Sequence, residues 1–126
     1  MSKDIIESIK IMELDDIIIL YYFPSTPNRH TTPRYFSLKG CLNHICYVSF
    51  LKKYNTINYI YVPIIYRRRG IATSLLSRVI SWCRTNMRFE INLEDCSDYY
   101  KQPDNIYTKM GFHYISGTDN DMLLKL

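Results

Sequence analysis

INYIYVPIIYRRRGIATSLLSRVISWC, residues 57–83, decides how the rest of the chain is read. Its first six residues, Ile57–Val62, are rich in β-branched and aromatic side chains and have the length of a strand. Pro63 has no N–H to give to a ladder, so pairing should be disturbed at that strand end. Beyond the loop PIIYRRRG the period changes. Ile71, Ala72, Leu75, Leu76, Val79, Ile80, Cys83 and Met87 recur at helical spacing and form one wide apolar stripe, with Thr73, Ser74, Ser77, Arg78, Ser81 and Arg84 largely on the other side. The spacing predicts a helix over 71–87. A strand, a short loop and a helix in immediate succession place fresh backbone N–H groups and the positive end of a helix dipole at a sheet edge, a setting that receives phosphate. Gly70 lets the backbone approach a ligand closely, and Arg67, Arg68 and Arg69 add charge suited to a pyrophosphate. Three arginines in a row are, by themselves, also what a solvated surface patch looks like.

Working outward, Phe89, Ile91 and Leu93 alternate with Glu90, Asn92 and Glu94 at strand period. Residues 104–110 read as a short helix ended by Gly111. Residues 112–115 and 122–126 read as strands separated by the polar turn SGTDND. Upstream, residues 45–51 and 57–62 are strands joined by the turn KKYNT, and with 35–38 they suggest an antiparallel meander. PSTPNRHTTP, residues 24–33, is a loop, since three prolines cannot continue a helix or a central strand. Residues 5–12 are apolar and mixed. Asp15 and Asp16 suit a helix start, whereas IIILYYF after them is β-branched; the reading adopted is strand, then helix. The whole is expected to be one α+β domain over residues 1–126, a mixed and mostly antiparallel sheet flanked by helices.

Composition narrows the function classes. A chain of 126 residues, 47% hydrophobic and 22% charged, has the size and balance of one globular domain with one core. Its apolar stretches, such as 17–23, fall far short of the roughly 20 residues a membrane span needs. MSKDIIESIK carries acids and no long apolar segment, unlike a secretory signal, so a cytoplasmic or nuclear location is expected. Cys41, Cys46, Cys83 and Cys96 then read as thiols, with Cys46 and Cys83 as small core residues. The spacing C-x-x-H-x-C around His44 matches no common zinc set, and no metal is expected. The net charge of +4 is compatible with a phosphate-bearing ligand. It is a small excess for a nucleic-acid binder, whose aromatics would not be confined to strands. Glycine occurs only at positions 40, 70, 111 and 117, so neither a P-loop nor a dinucleotide-binding fingerprint is present.

Two segments carry a specific resemblance. RRRGIA, residues 67–72, fits the acetyl-CoA motif Q/R-x-x-G-x-G/A of the GNAT superfamily, and IYTKMGF, residues 106–112, resembles that family's L-Y-x-K-x-G-F signature. They stand in the family's order, with the expected helix and strand between them. The resemblance implies the GNAT fold with splayed central strands, acetyl-CoA as co-substrate, and N-acetyl transfer to a primary amine by direct attack in a ternary complex. It implies that Arg67 and the amides of Arg68, Arg69, Gly70, Ile71, Ala72 and Thr73 hold the pyrophosphate, and that the backbone of Ile60, Tyr61 and Val62 pairs with the pantetheine arm. An N–H near Val62 would polarise the thioester carbonyl. Tyr107 would protonate the departing thiolate, with Glu94 as general base and Asp95 or a water chain as alternatives. Asn105 would contact the coenzyme. Acids at 94, 95, 98 and 104 would suit a cationic acceptor: a lysine, a peptide amino terminus, a polyamine or an aminoglycoside. A fainter likeness of INLEDCSD and NIYTKMGF to glucosamine-6-phosphate acetyltransferases would require a phosphate site, which Arg29 or Arg34 would offer. The competing reading is a catalytically degenerate GNAT fold that binds or regulates. An exposed sheet edge would allow a homodimer.

Overall fold

The computed structural model describes residues 3–24, 45–97, 101–102 and 105–126, with the side chains of Lys3 and Asp4 left aside. These residues form one mixed sheet and three helices. The strands are β1 (Lys10–Glu13), β2 (Ile17–Tyr22), β3 (Cys46–Leu51), β4 (Thr56–Tyr61), β5 (Glu90–Glu94), β6 (His113–Tyr114) and β7 (Asp121–Lys125). The helices are α1 (Lys3–Ser8), α2 (Ile71–Thr85) and α3 (Ile106–Lys109). The sheet order is β1-β2-β3-β4-β5-β7-β6. Every pairing is antiparallel except β4 with β5, whose crossover is α2.

The amino-terminal expectation of a strand followed by a helix is corrected. A helix ends at Ser8, β1 begins at Lys10, and IIILYY is β2. Asp15 and Asp16 lie in the tight turn between the two strands, closed by Leu14 N–H donating to the Ile17 carbonyl at 2.9 Å. The β-branched run wins because Ile18 and Leu20 are both needed in the core (1% exposed each) while Ile17 and Ile19 face away. The expected strand at 35–38, and all of the proline loop after Pro24, lie outside the described residues.

The apolar stripe of α2 packs on one face of the sheet. Leu75, Leu76, Val79 and Cys83 meet Val48, Phe50, Ile57 and Ile91, all nearly or wholly buried. Burial pushes the thiols of Cys46 and Cys83 up, to about 12 and about 11, which suits small packed side chains. Trp82 packs its edge on Phe50 at 5.8 Å. Ser74, placed by sequence on the polar side, is fully buried because its hydroxyl donates back to the Gly70 carbonyl at 2.7 Å. The helix stops at Thr85, short of Met87. Met87 takes φ 58°, and Arg88 N–H closes on the Cys83 carbonyl at 2.8 Å.

The feature that positions the site is how briefly β4 and β5 stay together. They share two residue pairs, Thr56 with Asn92 and Ile57 with Leu93. That end is pinned: Asn92 N–H donates to the Asn55 carbonyl at 2.7 Å, and Arg88 Nη1 donates to the Lys52 carbonyl and to Asn55 Oδ1, each at 2.6 Å. Directly afterwards β4 has an extra residue, Asn58, because Ser49 pairs with Tyr59 while Phe50 pairs with Ile57. A bulge bends and twists its strand. From Asn58 to Tyr61 the β5-side edge of β4 has no strand partner among the described residues. The central strands are therefore splayed, as expected. Replacing Arg88 by alanine should cost about 1.5–3 kcal/mol in chemical denaturation, because it leaves two acceptors at the pinned end unpaired. Phe89→Ser next to it, at an 85% exposed position, should change stability by less than about 0.5 kcal/mol.

Candidate active site in the splay of the central strands

The wall on the β4 side runs from strand to helix. Val62 and Pro63 leave the sheet, Ile64–Tyr66 make one 3₁₀ turn, and the chain turns through Arg68 (φ 65°) and Gly70 (φ 79°) into α2. Gly70 is the N-cap of α2, and no side chain caps the helix there. Since the first N–H groups of a helix have no intrahelical acceptor, those of Ile71, Ala72 and Thr73 stand ready for one from outside. Both α2 and the turn are set by the core: Ile71 and Tyr66 are buried, while Ala72 and Thr73 are half-buried. A Cβ on Gly70 would meet nothing within 4 Å, so what glycine supplies here is its positive φ.

The three arginines part company. Arg67 Nε donates to the Val62 carbonyl at 3.0 Å and so braces the loop. The Arg69 guanidinium lies over the Tyr66 ring at 5.5 Å. Arg68 is exposed at the tip. An open hollow of about 320 Å³ lies beside this turn, lined by Tyr61, Pro63, Ile64, Ile65 and Arg67. Ile64 and Ile65 are 76% and 66% exposed, an apolar pair that sequence reasoning passed over.

The wall on the β5 side ends at Glu94 and Asp95, whose side chains point in opposite directions. Glu94 is exposed and accepts from Asn120 Nδ2 at 3.2 Å. It lies on the sheet face away from α2, as do Tyr59 and Tyr61, because Ile57 and Leu93 face the core. Tyr47, Tyr59 and Tyr61 cluster on that face with ring centroids 5.9–6.5 Å apart. Asp95 is 1% exposed. Its Oδ1 accepts from Ser97 N–H (3.0 Å) and Ser97 Oγ (2.6 Å), and its Oδ2 accepts from Asn105 Nδ2 (2.7 Å) and the Tyr114 hydroxyl (2.6 Å). Burial favours the protonated acid, but the hydrogen bonds from Ser97, Tyr114 and Asn105 outweigh it and hold the carboxyl below its ordinary value.

Tyr107 stands at the start of α3. It is 8% exposed, its ring meets Phe112 at 6.2 Å, and its hydroxyl makes no hydrogen bond among the described residues. Burial, with Asp95 and Cys96 as neighbours, pushes it up to about 12, so it keeps its proton. Asn105, expected as a coenzyme contact, is wholly buried and caps α3: its Oδ1 accepts from Tyr107 N–H (2.8 Å) and Thr108 N–H (3.1 Å), and its Nδ2 faces Asp95 and Tyr114. Asp95, the alternative base, turns both carboxylate oxygens to donors inside the protein. Tyr114 was not foreseen; D-x-S at 95–97, an Asx-turn pattern, was the signal for the anchor. Asp98, Asp104, Arg29 and Arg34 lie outside the described residues. Among the described residues no cluster of metal-ligating side chains occurs, and no helix is long and apolar enough to cross a membrane.

Comparison with known proteins bears on this geometry. The model of the acetyltransferase (GNAT) family matches residues 21–112, well over half of the chain. The chain belongs to that family. A protein assigned as an acetyltransferase from Exiguobacterium sp. 255-15 superposes with a TM-score of 0.56 at 20% identity, over 90% of this chain and 65% of the other. This chain thus spans less than two thirds of that protein's length. NAA60 of Arabidopsis thaliana, solved with a bisubstrate analogue, superposes with a TM-score of 0.53 at 17% identity, over 89% of this chain and 75% of the other. At these identities the likeness concerns the fold. No curated protein matches the chain.

The buried carboxylate has a stability consequence. A folded value below the unfolded one means that the unfolded chain binds more protons through the interval between them. Stability from Asp95 is then complete above about pH 4, the ordinary aspartate value, and is lost as pH falls through the folded value. Melting temperature between pH 6 and pH 2.5 should fall less steeply for Asp95→Asn than for the unaltered protein.

Proposed function

We propose that this member of the GNAT family transfers the acetyl group of acetyl-CoA to a primary amine, in the splay between β4 and β5. The observation that carries the reading is the buried Tyr107 hydroxyl, which has no hydrogen-bond partner among the described residues, beside a splay whose other wall offers a strand edge unpaired among those residues and a helix start with no side-chain cap.

The residues present fit the coenzyme. The first-turn amides of α2, with the amides of Arg68, Arg69 and Gly70, are suited to the pyrophosphate, and Arg67 keeps their turn in shape. The free edge of Ile60, Tyr61 and Val62 is suited to the amides of the pantetheine arm, which would continue the sheet where β5 has departed. A backbone N–H near Val62 would receive the thioester oxygen as charge develops on it. Glu94 projects from the exposed sheet face at the mouth of the splay, where it would take a proton from the acceptor's ammonium, directly or through water, to leave the neutral amine that attacks. Tyr107 would give its proton to the leaving thiolate, and its raised affinity for that proton keeps the phenol neutral and protonated at any ordinary pH. The tyrosines on the Glu94 face and the Glu94 carboxylate together favour a cationic acceptor. Much of the acceleration would come from holding amine and thioester together.

Acetyl-CoA at a hundredfold excess over its dissociation constant should stabilise the protein by roughly 2.7 kcal/mol, a rise in melting temperature on the order of 10 °C. Gly70→Val should lose that rise, beyond the roughly 1–2 kcal/mol its positive φ costs the free protein. A folded protein whose melting temperature ignores acetyl-CoA would defeat the coenzyme site and leave a binding or regulatory role.

Turnover is read as coenzyme A release with spermidine or a lysine-containing peptide as acceptor. Tyr107→Phe should lower kcat by about 10²–10⁴. No alkaline loss assignable to Tyr107 should occur until pH nears 12. A Tyr107→Phe protein with unchanged kcat would remove Tyr107 from the mechanism.

A further inference from the structure

We infer that Asp95 is a positioning residue for the transfer reaction: by collecting Ser97, Asn105 and Tyr114 on one buried carboxylate, it fixes α3 against the end of β5 and so sets where the Tyr107 hydroxyl stands. This rests on the reading of Tyr107 as proton donor to the thiolate.

The short helix α3 cannot fix its own orientation. It has four residues, too few for its internal hydrogen bonds to hold it. Its direction is set at its N-terminus by Asn105, which takes the N–H groups of Tyr107 and Thr108 on one oxygen. Asn105 is in turn oriented from its other end, where Nδ2 donates to Asp95 Oδ2 at 2.7 Å. The amide has no freedom to flip, because flipping would turn its NH₂ toward two backbone N–H groups. Tyr114 closes the same oxygen from β6 at 2.6 Å, so one carboxylate joins β5, β6 and the cap of α3. Backbone continues the anchor: Asp95 N–H donates to the Asn120 carbonyl at 2.8 Å, and Phe112 N–H donates to the Tyr107 carbonyl at 3.0 Å.

Only a carboxylate serves all four bonds. Each oxygen of Asp95 faces one N–H, that of Ser97 or that of Asn105, as well as one hydroxyl. Hydroxyls can turn and accept instead, but an N–H cannot. An asparagine at this position must therefore aim its own NH₂ at a donor whichever way it is placed. The side chain keeps its size while the cap loses its hold. Glu94, the neighbouring residue, points to the open face and takes no part in this network, so the two acids divide the work: one toward the substrate, one toward the scaffold.

The test is kinetic, with coenzyme A release from acetyl-CoA in the presence of spermidine or the lysine peptide. Asp95→Asn should lower kcat about 10–100-fold, the scale on which misplacing a reacting group by about 1 Å is felt, while KM for acetyl-CoA changes less than about threefold. The deciding measurement is the double variant. If Asp95 acts through Tyr107, Asp95→Asn should add no further loss in a Tyr107→Phe background. A loss that multiplies in that background, or an unaltered kcat in Asp95→Asn alone, overturns the inference while leaving Tyr107 as the donor. Unchanged kcat in Tyr107→Phe, or no coenzyme A release by the unaltered protein with either acceptor, overturns the underlying reading and this inference with it. Should Asp95→Asn fail to fold, Tyr114→Phe and Ser97→Ala each remove a donor without introducing an N–H. Each should lower kcat severalfold, and again not in the Tyr107→Phe background; a loss that persists there overturns the inference.

Discussion

The parallel contact between β4 and β5 lasts for two residue pairs, and the rest of the molecule is arranged around its ending. A parallel pair that continued would bury a sheet centre and leave no room for a ligand. Here one end is pinned by Arg88 and Asn92 on the β3–β4 turn, and the other is released. Asn58 bends β4 outward, and Pro63 withholds the donor that would have resumed pairing. On the other side, Asp95 turns to Asn120, so β5 closes with the β7 side of the sheet instead of rejoining β4. The opening is thus a consequence of bonds made elsewhere.

Each wall of that opening receives its chemistry from the element that follows the strand. After β4, a loop braced by Arg67 delivers the uncapped start of α2. After β5, a buried carboxylate delivers the capped start of α3 with Tyr107 on it. The two helix starts are treated oppositely. The first is left open by a glycine that offers no side chain, and the second is closed by Asn105. An open start suits an incoming phosphate, and a closed one suits a side chain that must stay put. The core between α2 and the sheet supplies the rigidity both depend on.

Much of the fold was legible in the sequence, because α2 and β5 have strong and different hydrophobic periods, and Gly70 and Gly111 mark the start of α2 and the end of α3. The amino-terminal turn was misread because Asp15 and Asp16 suit both a helix start and a hairpin turn; only pairing with β3 separates the two. The splay itself is invisible to local patterning, since it arises from a one-residue bulge and from Arg88 reaching across 36 positions to Lys52. At the site, the strand–loop–helix pattern pointed to the α2 turn, while Tyr107 was singled out only by its resemblance to the GNAT signature. Spacing could not tell Glu94 from Asp95, adjacent acids that differ only in which way the strand aims them. Nor did it foresee that Asn105 is buried and caps α3, which follows from how the chain packs there. The fates of the three arginines, bracing, stacking and exposed, likewise follow from the turn's shape and not from their run.

Amide hydrogen exchange with and without acetyl-CoA tests the central claim most directly, because it reads both walls of the splay separately and needs no acceptor. If the cleft receives the coenzyme, the amides of residues 58–62 on β4 and of Ile71, Ala72 and Thr73 on α2 should gain protection together, while those at the pinned end near Asn92 stay as they were. Protection confined to some other surface, or exchange in both segments unchanged at saturating acetyl-CoA, would contradict it.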